Sequence, residues 1–234
     1  MQTIGIMSGT SLDAADAVLC SFDENGKLSL QSAASLPIPP QLKTKLWELT
    51  QAKPNEINAM LLAEREITNI YIKLVQLLLE QSKVKHESIA AIGCHGQTIR
   101  HQSIQGQLYT LQIADIHLLS AKLGIPCIGD FRRADIALGG QGAPLLPAFH
   151  AEIFRSSSEN RAVVNLGGIA NVTLLPKNVI SPIRGFDTGP GNGLMDNWVM
   201  QCWQKPYDNG GAIAKSGKVI PHLLHSCLAD VFFF

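Results

Sequence analysis

Hydrophobic and polar positions alternate along the N-terminal part of the chain before they change to a helical period. Residues 3–8, 14–22 and 28–36 each have the pattern of a strand, and polar turns between them predict an antiparallel meander. After a short helix at 41–51, Lys53-Pro54-Asn55 opens a long helix, in which apolar residues recur every three to four positions to about Ser82. Both periods together predict a mixed α/β protein.

The rest of the chain continues this alternation. Strands are expected at 89–94 and 125–129, and helices at 111–123, 145–154, 190–203 and 221–229. Polar residues 155–160 are the best candidate linker. A first domain is therefore expected over residues 1–158 and a second over 159–234, of which about three strands are present.

Composition and charge limit the classes of function. Hydrophobic residues make up 46% and charged residues 16% of the 234, which suits a globular protein with a substantial core. The net charge is zero and the basic residues are scattered, so no nucleic-acid partner is expected. The chain has no apolar run of membrane-spanning length and no signal-peptide pattern, so we expect a cytoplasmic protein with no membrane partner.

The cysteines and histidines do not predict a metal site. The five cysteines are an odd number without metal-site spacing, and most lie in apolar surroundings, as buried thiols of a reducing compartment do. His222 and His225 share a helix face but have no acidic or cysteine partner nearby. We therefore assign no metal ligands.

Two glycine turns near residues 163–191 are the strongest candidate chemistry. An apolar run broken at Gly167-Gly168 predicts two buried strands joined by a tight turn, where backbone amides can approach a phosphate closely. Asp187 follows a short strand at 183–186 and precedes Gly189-Pro190-Gly191 and a helix, so it can act as a base beside an anion site. Either motif alone is better interpreted as an ordinary turn, but the two together indicate a site. Neither matches a Walker or Rossmann glycine motif.

The first turn of the chain, residues 9–13, is rich in hydroxyls and small residues. Its backbone amides, Thr10 and Ser11 can hold phosphate oxygens, while Asp13 or Asp16 can orient a hydrated Mg²⁺. The alternative is a hairpin turn whose side chains satisfy their own backbone, and spacing alone slightly favours it.

Two further polar groups are expected where strands end. His95-Gly96-Gln97-Thr98 is predicted as a turn after strand 89–94, and His95 and Gln97 can each bind a sugar hydroxyl or a carboxylate. A lone histidine more often makes a structural bond. Residues 130–135 carry Asp130, Arg132, Arg133 and Asp135, which can bind a carboxylate or pair with each other.

Six motifs together resemble one family, anhydro-N-acetylmuramic acid kinase, a sugar kinase of the actin/Hsp70/hexokinase superfamily. They are Gly-Ile-Met-Ser-Gly-Thr-Ser-Leu-Asp at 5–13, His-Gly-Gln-Thr at 95–98, Gly-Asp-Phe-Arg at 129–132, Leu-Gly-Gly-Gln-Gly-Ala-Pro-Leu at 138–145, Asn-Leu-Gly-Gly-Ile-Ala-Asn at 165–171 and Gly-Phe-Asp-Thr-Gly-Pro-Gly-Asn at 185–192. The resemblance spans nearly the whole chain and implies an α/β, ribonuclease H-like fold of the actin/hexokinase type. That fold has two lobes with a cleft between them, and here the second lobe is incomplete because the family's chains continue past residue 234.

The resemblance also implies the chemistry. The family uses ATP and Mg²⁺ to open 1,6-anhydro-N-acetylmuramic acid from peptidoglycan turnover with water, and it phosphorylates O6 to give N-acetylmuramic acid 6-phosphate. Asp187 would activate the water, and a homodimer is suggested. The implied cofactor-binding residues are Gly9, Thr10, Ser11, Leu12, Asp13, Ala14, Ala15, Asp16, Asn165, Gly167, Gly168 and Asn171. The implied substrate-binding residues are His95, Gln97, Asp130 and Arg132.

The sequence departs from the family at two places. Ala14-Ala15 stand where the family has glycine and then a β-branched residue, so a positive φ at Ala14, or a close approach of phosphate there, would weaken nucleotide binding. The adenosine-binding part of the family is missing, and the chain stops at an apolar run, residues 231–234. A truncated, non-catalytic remnant of such a kinase is therefore an alternative, and an actin-like ATPase is another.

Overall fold

The computed structural model describes residues 1–229, so the apolar run at 231–234 lies outside the described residues. The chain divides into two compact units, Met1–Gly142 and Ala143–Phe234. The division falls earlier than the predicted linker at 155–160, because the helix at Pro147–Phe154 packs on strands of the second unit.

The first unit has six strands and four α-helices among the described residues. The strands are β1 (Gln2–Ser8), β2 (Ala14–Phe22), β3 (Leu28–Pro37), β4 (Ile89–Ile104), β5 (Gln107–Ile113) and β6 (Cys127–Gly129). The helices are α1 (Pro40–Thr50), α2 (Glu56–Ser82), α3 (Ile116–Leu123) and α4 (Phe131–Ala137). These bounds confirm the predicted meander, the short helix and the long helix.

A mixed sheet with the order β3-β2-β1-β4-β5 organises this unit. The meander β1-β2-β3 is antiparallel, whereas β1 and β4 are parallel. Strand β4 pairs with β6 through Ile92–Cys94 and with β5 through Gln97–Ile104. The ends of β1 and β6 therefore deliver their following residues beside the middle of β4.

The predicted apolar stripe of α2 lies in the core from Ala63 onward, whereas Ile57 and Leu61 in its first turns are exposed. Ile67, Tyr71 and Leu74 are fully buried, and they belong to one cluster with Ile4 and Ile6 of β1. Alternate residues of β1 and β2 are buried while the intervening ones are more exposed, as expected for a sheet that is covered by helices on one face.

The predicted turn at 95–98 is wrong, because these residues continue strand β4. Ile6 pairs with Cys94 and Ser8 with Gln97, so β4 has one extra residue here and forms a bulge. Gly96 has a φ of +76°, a conformation that glycine adopts without strain. The glycine thus marks an interruption of the ladder and not the end of the strand.

The structure differs from the predictions in other places as well. The predicted helix at 111–123 begins only at Ile116, because residues up to Ile113 pair with β4 and the Asp115 side chain caps the helix by accepting from the Leu118 amide at 2.8 Å. Helix α4 was not predicted. The strand expected at 183–186 extends over residues 184–190 and includes Asp187.

The second unit contains a three-stranded antiparallel sheet and four α-helices among the described residues. The strands are β7 (Arg161–Leu166), β8 (Ile169–Leu175) and β9 (Arg184–Pro190), in that order. The helices are α5 (Pro147–Phe154), α6 (Gly193–Trp203), α7 (Ala212–Ser216) and α8 (Pro221–Leu228). Leu166 pairs with Ala170, which confirms the predicted hairpin with its glycine turn.

The prediction that the strands of this hairpin are buried holds for part of β8, where Ala170, Thr173 and Leu175 are buried, but it is wrong for β7, which is mostly exposed. Helix α5 packs on one face of the sheet, where His150 Nδ1 lies 2.9 Å from the Thr173 hydroxyl. On the other face the side chains of Val164, Leu166 and Phe186 are exposed. A hydrophobic pattern alone indicates which faces can be buried and not what covers them.

Within residues 1–229, none of the helices combines the length and the apolar character that a membrane span requires.

Candidate functional site

The turn after β1 packs on the core through a buried leucine. Leu12 has a φ of +58°, its amide donates to the Gly9 carbonyl at 3.2 Å, and its side chain is 1% exposed. Thr10 and Ser11 are exposed, so their hydroxyls are available to a ligand. The left-handed residue of the turn is thus Leu12, whereas Ala14 begins β2 and pairs with Pro37. Ala14 has the conformation of a strand residue, so the positive φ that would weaken nucleotide binding does not occur there.

Buried polar groups lie under the same turn. The Ser8 hydroxyl is 2.6 Å from the Tyr71 hydroxyl, and the Gln97 carboxamide donates to the Gly9 carbonyl at 3.4 Å and to the Thr98 carbonyl at 3.2 Å. Gln97 is 1% exposed, and its Oε1 has no partner within the described part of the chain. Gln97 therefore supports the turn in this structure, and its predicted contact with substrate stays a prediction.

Asp13 and Asp16 differ in their surroundings. Asp13 accepts a 2.7 Å hydrogen bond from Lys43 Nζ, and this bond holds the pKa of Asp13 below its usual value, with a smaller contribution from Ser11. Asp16 is exposed on β2 opposite Met7. The alternative interpretation was a hairpin turn whose side chains satisfy only their own backbone. It does not describe this turn fully, because Lys43 from α1 binds Asp13.

Replacing Lys43 by Met is expected to raise the pKa of Asp13 toward its ordinary value, because the ammonium donor is lost. A depressed folded-state pKa stabilises the protein above the unfolded-state pKa, and this contribution is lost as pH falls through the folded-state value. The variant should therefore lose stability near neutral pH, by about 0.2–1 kcal/mol for an exposed pair, and the difference should vanish in acid. Carboxyl NMR titration and urea unfolding measure the two effects. Lys27→Met, an exposed lysine of the same unit, is the control; an unchanged Asp13 titration would contradict the pairing.

His95 and Arg132 contact each other within the first unit. Arg132 Nε donates to His95 Nε2 at 2.9 Å, and Arg132 Nη1 donates to the Gly142 carbonyl at 2.6 Å. His95 Nδ1 lies 2.8 Å from the Gly96 carbonyl. Burial lowers the pKa of His95, and the neighbouring Arg132 cation lowers it further. Two predicted substrate residues are thus brought together, His95 from the middle of β4 and Arg132 from helix α4, which follows β6.

The other charges of this segment pair among themselves. Arg133 binds both carboxylate oxygens of Asp130, at 2.7 and 2.6 Å, which is the structural pairing considered as the alternative for this group. Asp135 accepts from the Gly142 amide at 2.7 Å. In the part of the chain that the structure describes, Arg132 makes no carboxylate ion pair, so it is the arginine of this segment whose charge is left for a ligand.

In the second unit the two glycine motifs are hydrogen-bonded to each other. The amides of Gly191 and Gly193 donate to the Gly168 carbonyl at 3.0 and 3.2 Å, and the Asn192 amide donates to the Gly167 carbonyl at 2.8 Å. The first amide of α6 is therefore used by the hairpin turn. The predicted anion site at this helix N-terminus therefore has one amide donor fewer. The same hydrogen bonds hold the hairpin turn against residues 191–193, which follow Asp187.

One cross-strand row contains three of the predicted site residues. Asn165 pairs with Asn171, and Asn171 pairs with Asp187, so the three side chains emerge side by side on one face of the sheet. Asp187 and Asn165 are exposed. The register shifts beyond this row and leaves Thr188 as an extra residue, whose hydroxyl donates to the Ala170 carbonyl at 3.2 Å. Asp187 thus lies inside β9 and not at its end, but still beside both asparagines.

Residues 1–229 contain no group of three or more His, Cys, Asp or Glu side chains that could hold a metal ion alone. A nucleotide-bound Mg²⁺ does not need such a group, because it is usually held by one or two carboxylates, waters and phosphate oxygens. The exposed carboxylates Asp13 and Asp16 fit that smaller requirement.

Lys43 and Tyr71 contact residues of the turn after β1 and its flanking strand, and Thr188 binds strand β8 in the second unit, but no sequence pattern indicated these three residues. Lys43 and Tyr71 lie on helices α1 and α2, where each fits the ordinary polar or apolar pattern. Thr188 is recognisable only from the register of the β8-β9 ladder.

Glycine turns whose backbone amides can face a ligand are common phosphate-binding elements of α/β proteins. A comparison with protein families makes this class specific. The family model described as anhydro-N-acetylmuramic acid kinase matches residues 1–234, and the chain belongs to this family.

Individual relatives agree. The chain is 46% identical over 230 residues to the anhydro-N-acetylmuramic acid kinase of Neisseria meningitidis serogroup C (strain 053442) and 45% identical to that of Shewanella loihica. Each match covers 98% of this chain and 62% of the relative, so the chain spans less than two thirds of the relatives' length. The solved structure of YeaZ from Pseudomonas aeruginosa aligns with 81% of this chain and 67% of its own, at 15% identity and a TM-score of 0.30, too weak a likeness to bear on the fold.

Proposed function

We propose that this chain is the part of an ATP-dependent sugar kinase that opens 1,6-anhydro-N-acetylmuramic acid and phosphorylates its O6. The observation that carries the proposal is the row of Asn165, Asn171 and Asp187 beside the fixed glycine turn, in a chain of this family. The proposal includes a ribonuclease H-like fold of the actin/hexokinase type, with an N-terminal lobe over residues 1–158 and an incomplete second lobe over 159–234. A cytoplasmic homodimer belongs to the same proposal.

Asp187 is proposed as the general base. In the reaction a water oxygen bonds to C1 of the sugar, the C1–O6 bond breaks, O6 bonds to the γ-phosphorus, and ADP leaves. Asp187 takes the proton from the water, and a positioned base of this kind contributes about 10²–10⁴-fold to a rate. The side chain is exposed on β9, so it can reach a water molecule.

The two glycine turns are proposed to hold the nucleotide phosphates. In the first unit the groups are Thr10, Ser11 and the backbone of residues 9–16, and in the second they are the turn at Gly167-Gly168 with the carboxamides of Asn165 and Asn171. Phosphoryl transfer depends mainly on positioning and on neutralising charge, and hydrogen-bond donors from rigid turns supply the positioning. Mg²⁺, when bound, supplies charge neutralisation at the phosphate oxygens, and Asp13 and Asp16 are the residues that would orient it.

Arg132 is proposed to bind the lactyl carboxylate of the sugar. Its Nε and Nη1 are used by His95 and Gly142, and its Nη2 is left to donate to an anion. Asp130, which pairs with Arg133, would shape this part of the site and not neutralise Arg132.

The direct test incubates the 234-residue chain with ATP, Mg²⁺ and the anhydro-sugar and follows the sugar by mass spectrometry. The expected product has gained one water and one phosphoryl group, and ADP forms in equal amount. ADP formation that is independent of added sugar would support an actin-like ATPase instead. Absence of nucleotide binding by calorimetry, with or without sugar binding, would support the non-catalytic remnant, and tight nucleotide binding would contradict it.

A further inference from the structure

The contact between Arg132 and His95 fixes the proton position on the imidazole. Arginine nitrogens only donate, so His95 Nε2, 2.9 Å from Arg132 Nε, must be the unprotonated acceptor. The ring proton then lies on Nδ1, which donates to the Gly96 carbonyl at 2.8 Å. That carbonyl belongs to the bulge of β4, where the positive φ of Gly96 turns the peptide. His95 is therefore held in one tautomer by its own backbone.

The same contacts hold the guanidinium in one orientation. Nε is fixed by His95 and Nη1 by the Gly142 carbonyl, on opposite parts of the planar group. The Gly142 peptide is itself fixed, because its amide donates to Asp135. With two nitrogens bound to neutral acceptors, Arg132 keeps its full positive charge and presents Nη2.

We propose that His95 is a positioning residue that orients Arg132 for the carboxylate of the substrate and does not itself bind the sugar. The inference rests on the proposed function, because the lactyl carboxylate is the ligand of Arg132. A neutral imidazole suits this role better than a carboxylate would, since it orients the guanidinium without neutralising it. The nearby carboxylates Asp130 and Asp135 are used by Arg133 and by the Gly142 amide.

Protonation of His95 would remove the acceptor and place a second cation against Arg132. The charged group that faces the His95 ring is Arg132 from α4, while Asp130, Arg133 and Asp135 of the same segment are engaged elsewhere. Burial and the Arg132 charge keep the pKa of His95 below its usual value. Affinity for the carboxylate sugar should therefore be constant at neutral pH and fall only when pH drops through that lowered pKa, below about 6.5.

Two variants separate positioning from direct contact. His95→Gln keeps an acceptor near the Nε2 position, whereas His95→Leu has none. Calorimetry is performed with the anhydro-sugar and with the same sugar lacking its lactyl group. We expect His95→Leu to bind the carboxylate sugar roughly tenfold or more weakly, as for loss of a charge-assisted hydrogen bond, and His95→Gln to recover most of this affinity. Both variants should bind the carboxylate-free sugar as the wild type does. Equal losses for both sugars, or no loss, would overturn the inference.

Nitrogen NMR of the wild-type imidazole tests the contact between His95 and Arg132 even if no sugar binds. An unprotonated Nε2, a protonated Nδ1 and a titration that shifts upward in Arg132→Met, which removes the neighbouring cation, are the expected results. A proton on Nε2 at neutral pH would refute the positioning role. A wild-type chain that binds neither sugar but shows the expected tautomer would contradict the proposed function and leave the His95–Arg132 pairing established.

Discussion

Replacing Asp187 by Asn is expected to lower the rate of sugar phosphorylation by about 10²–10⁴-fold, because the carboxamide has the shape of the carboxylate but cannot accept the proton of water. The side chain is exposed beside Asn171, so the substitution leaves no buried group without a partner. The loss should therefore appear in kcat, with little change in the affinity for ATP. Steady-state kinetics and nucleotide calorimetry on the same preparations measure the two quantities.

Asp196→Asn provides the matched control for this prediction. Asp196 is an aspartate in the first turn of α6, in the same unit, and has no proposed role in catalysis. Its replacement should change the rate by less than about threefold, as expected for the loss of a favourable charge near a helix N-terminus. Similar rates for wild type and Asp187→Asn would remove Asp187 from the mechanism, whereas similar losses in both variants would point to a general effect of lost negative charge.

Replacing Gly191 by Ala is expected to destabilise the second unit by at least about 3 kcal/mol. A Cβ at this position would overlap the carbonyl oxygen of Gly167 and come within 3.3 Å of the Ala170 amide nitrogen. Both are backbone atoms, which cannot move aside as a flexible side chain can. Separating the two glycine motifs would also break hydrogen bonds of residues 191–193, each contributing about 0.5–1.5 kcal/mol, in addition to about 1–3 kcal/mol for the steric overlap. Urea unfolding measures the change.

Gly168→Ala tests whether the loss of stability comes from the close contact between Gly191 and Gly167. A Cβ at Gly168 would meet nothing within 4 Å, so stability should stay within about 0.5 kcal/mol of the wild type. Because Gly168 belongs to the proposed phosphate turn, a loss of nucleotide affinity without a loss of stability would show that a ligand approaches its backbone closely. Equal stability of Gly191→Ala and Gly168→Ala would mean that the two motifs do not pack as described.

Local patterns predicted the elements that are stabilised by their own residues. The meander of β1 to β3, the long helix α2 and the glycine-linked hairpin all follow from hydrophobic period and turn chemistry. The family and its motifs were also recognisable from the chain alone, and the comparison confirmed them over residues 1–234. Predictions failed where pairing between strands decided the outcome. At 95–98 strand β4 continues past its expected end, and residues 111–113, which were expected to begin a helix, pair with β4 instead.

The sequence by itself determined which residues are candidates for the chemistry: two glycine motifs, a histidine, an arginine and one carboxylate. It could not say which of them meet, because that depends on register and crossover between strands far apart in the chain. Only the tertiary structure placed Asn165, Asn171 and Asp187 in one row. It also paired Asp130 with Arg133 and placed Arg132 within hydrogen-bonding distance of His95 Nε2. The residue type determines which chemical interactions a side chain can make, whereas backbone pairing determines which neighbours it can make them with.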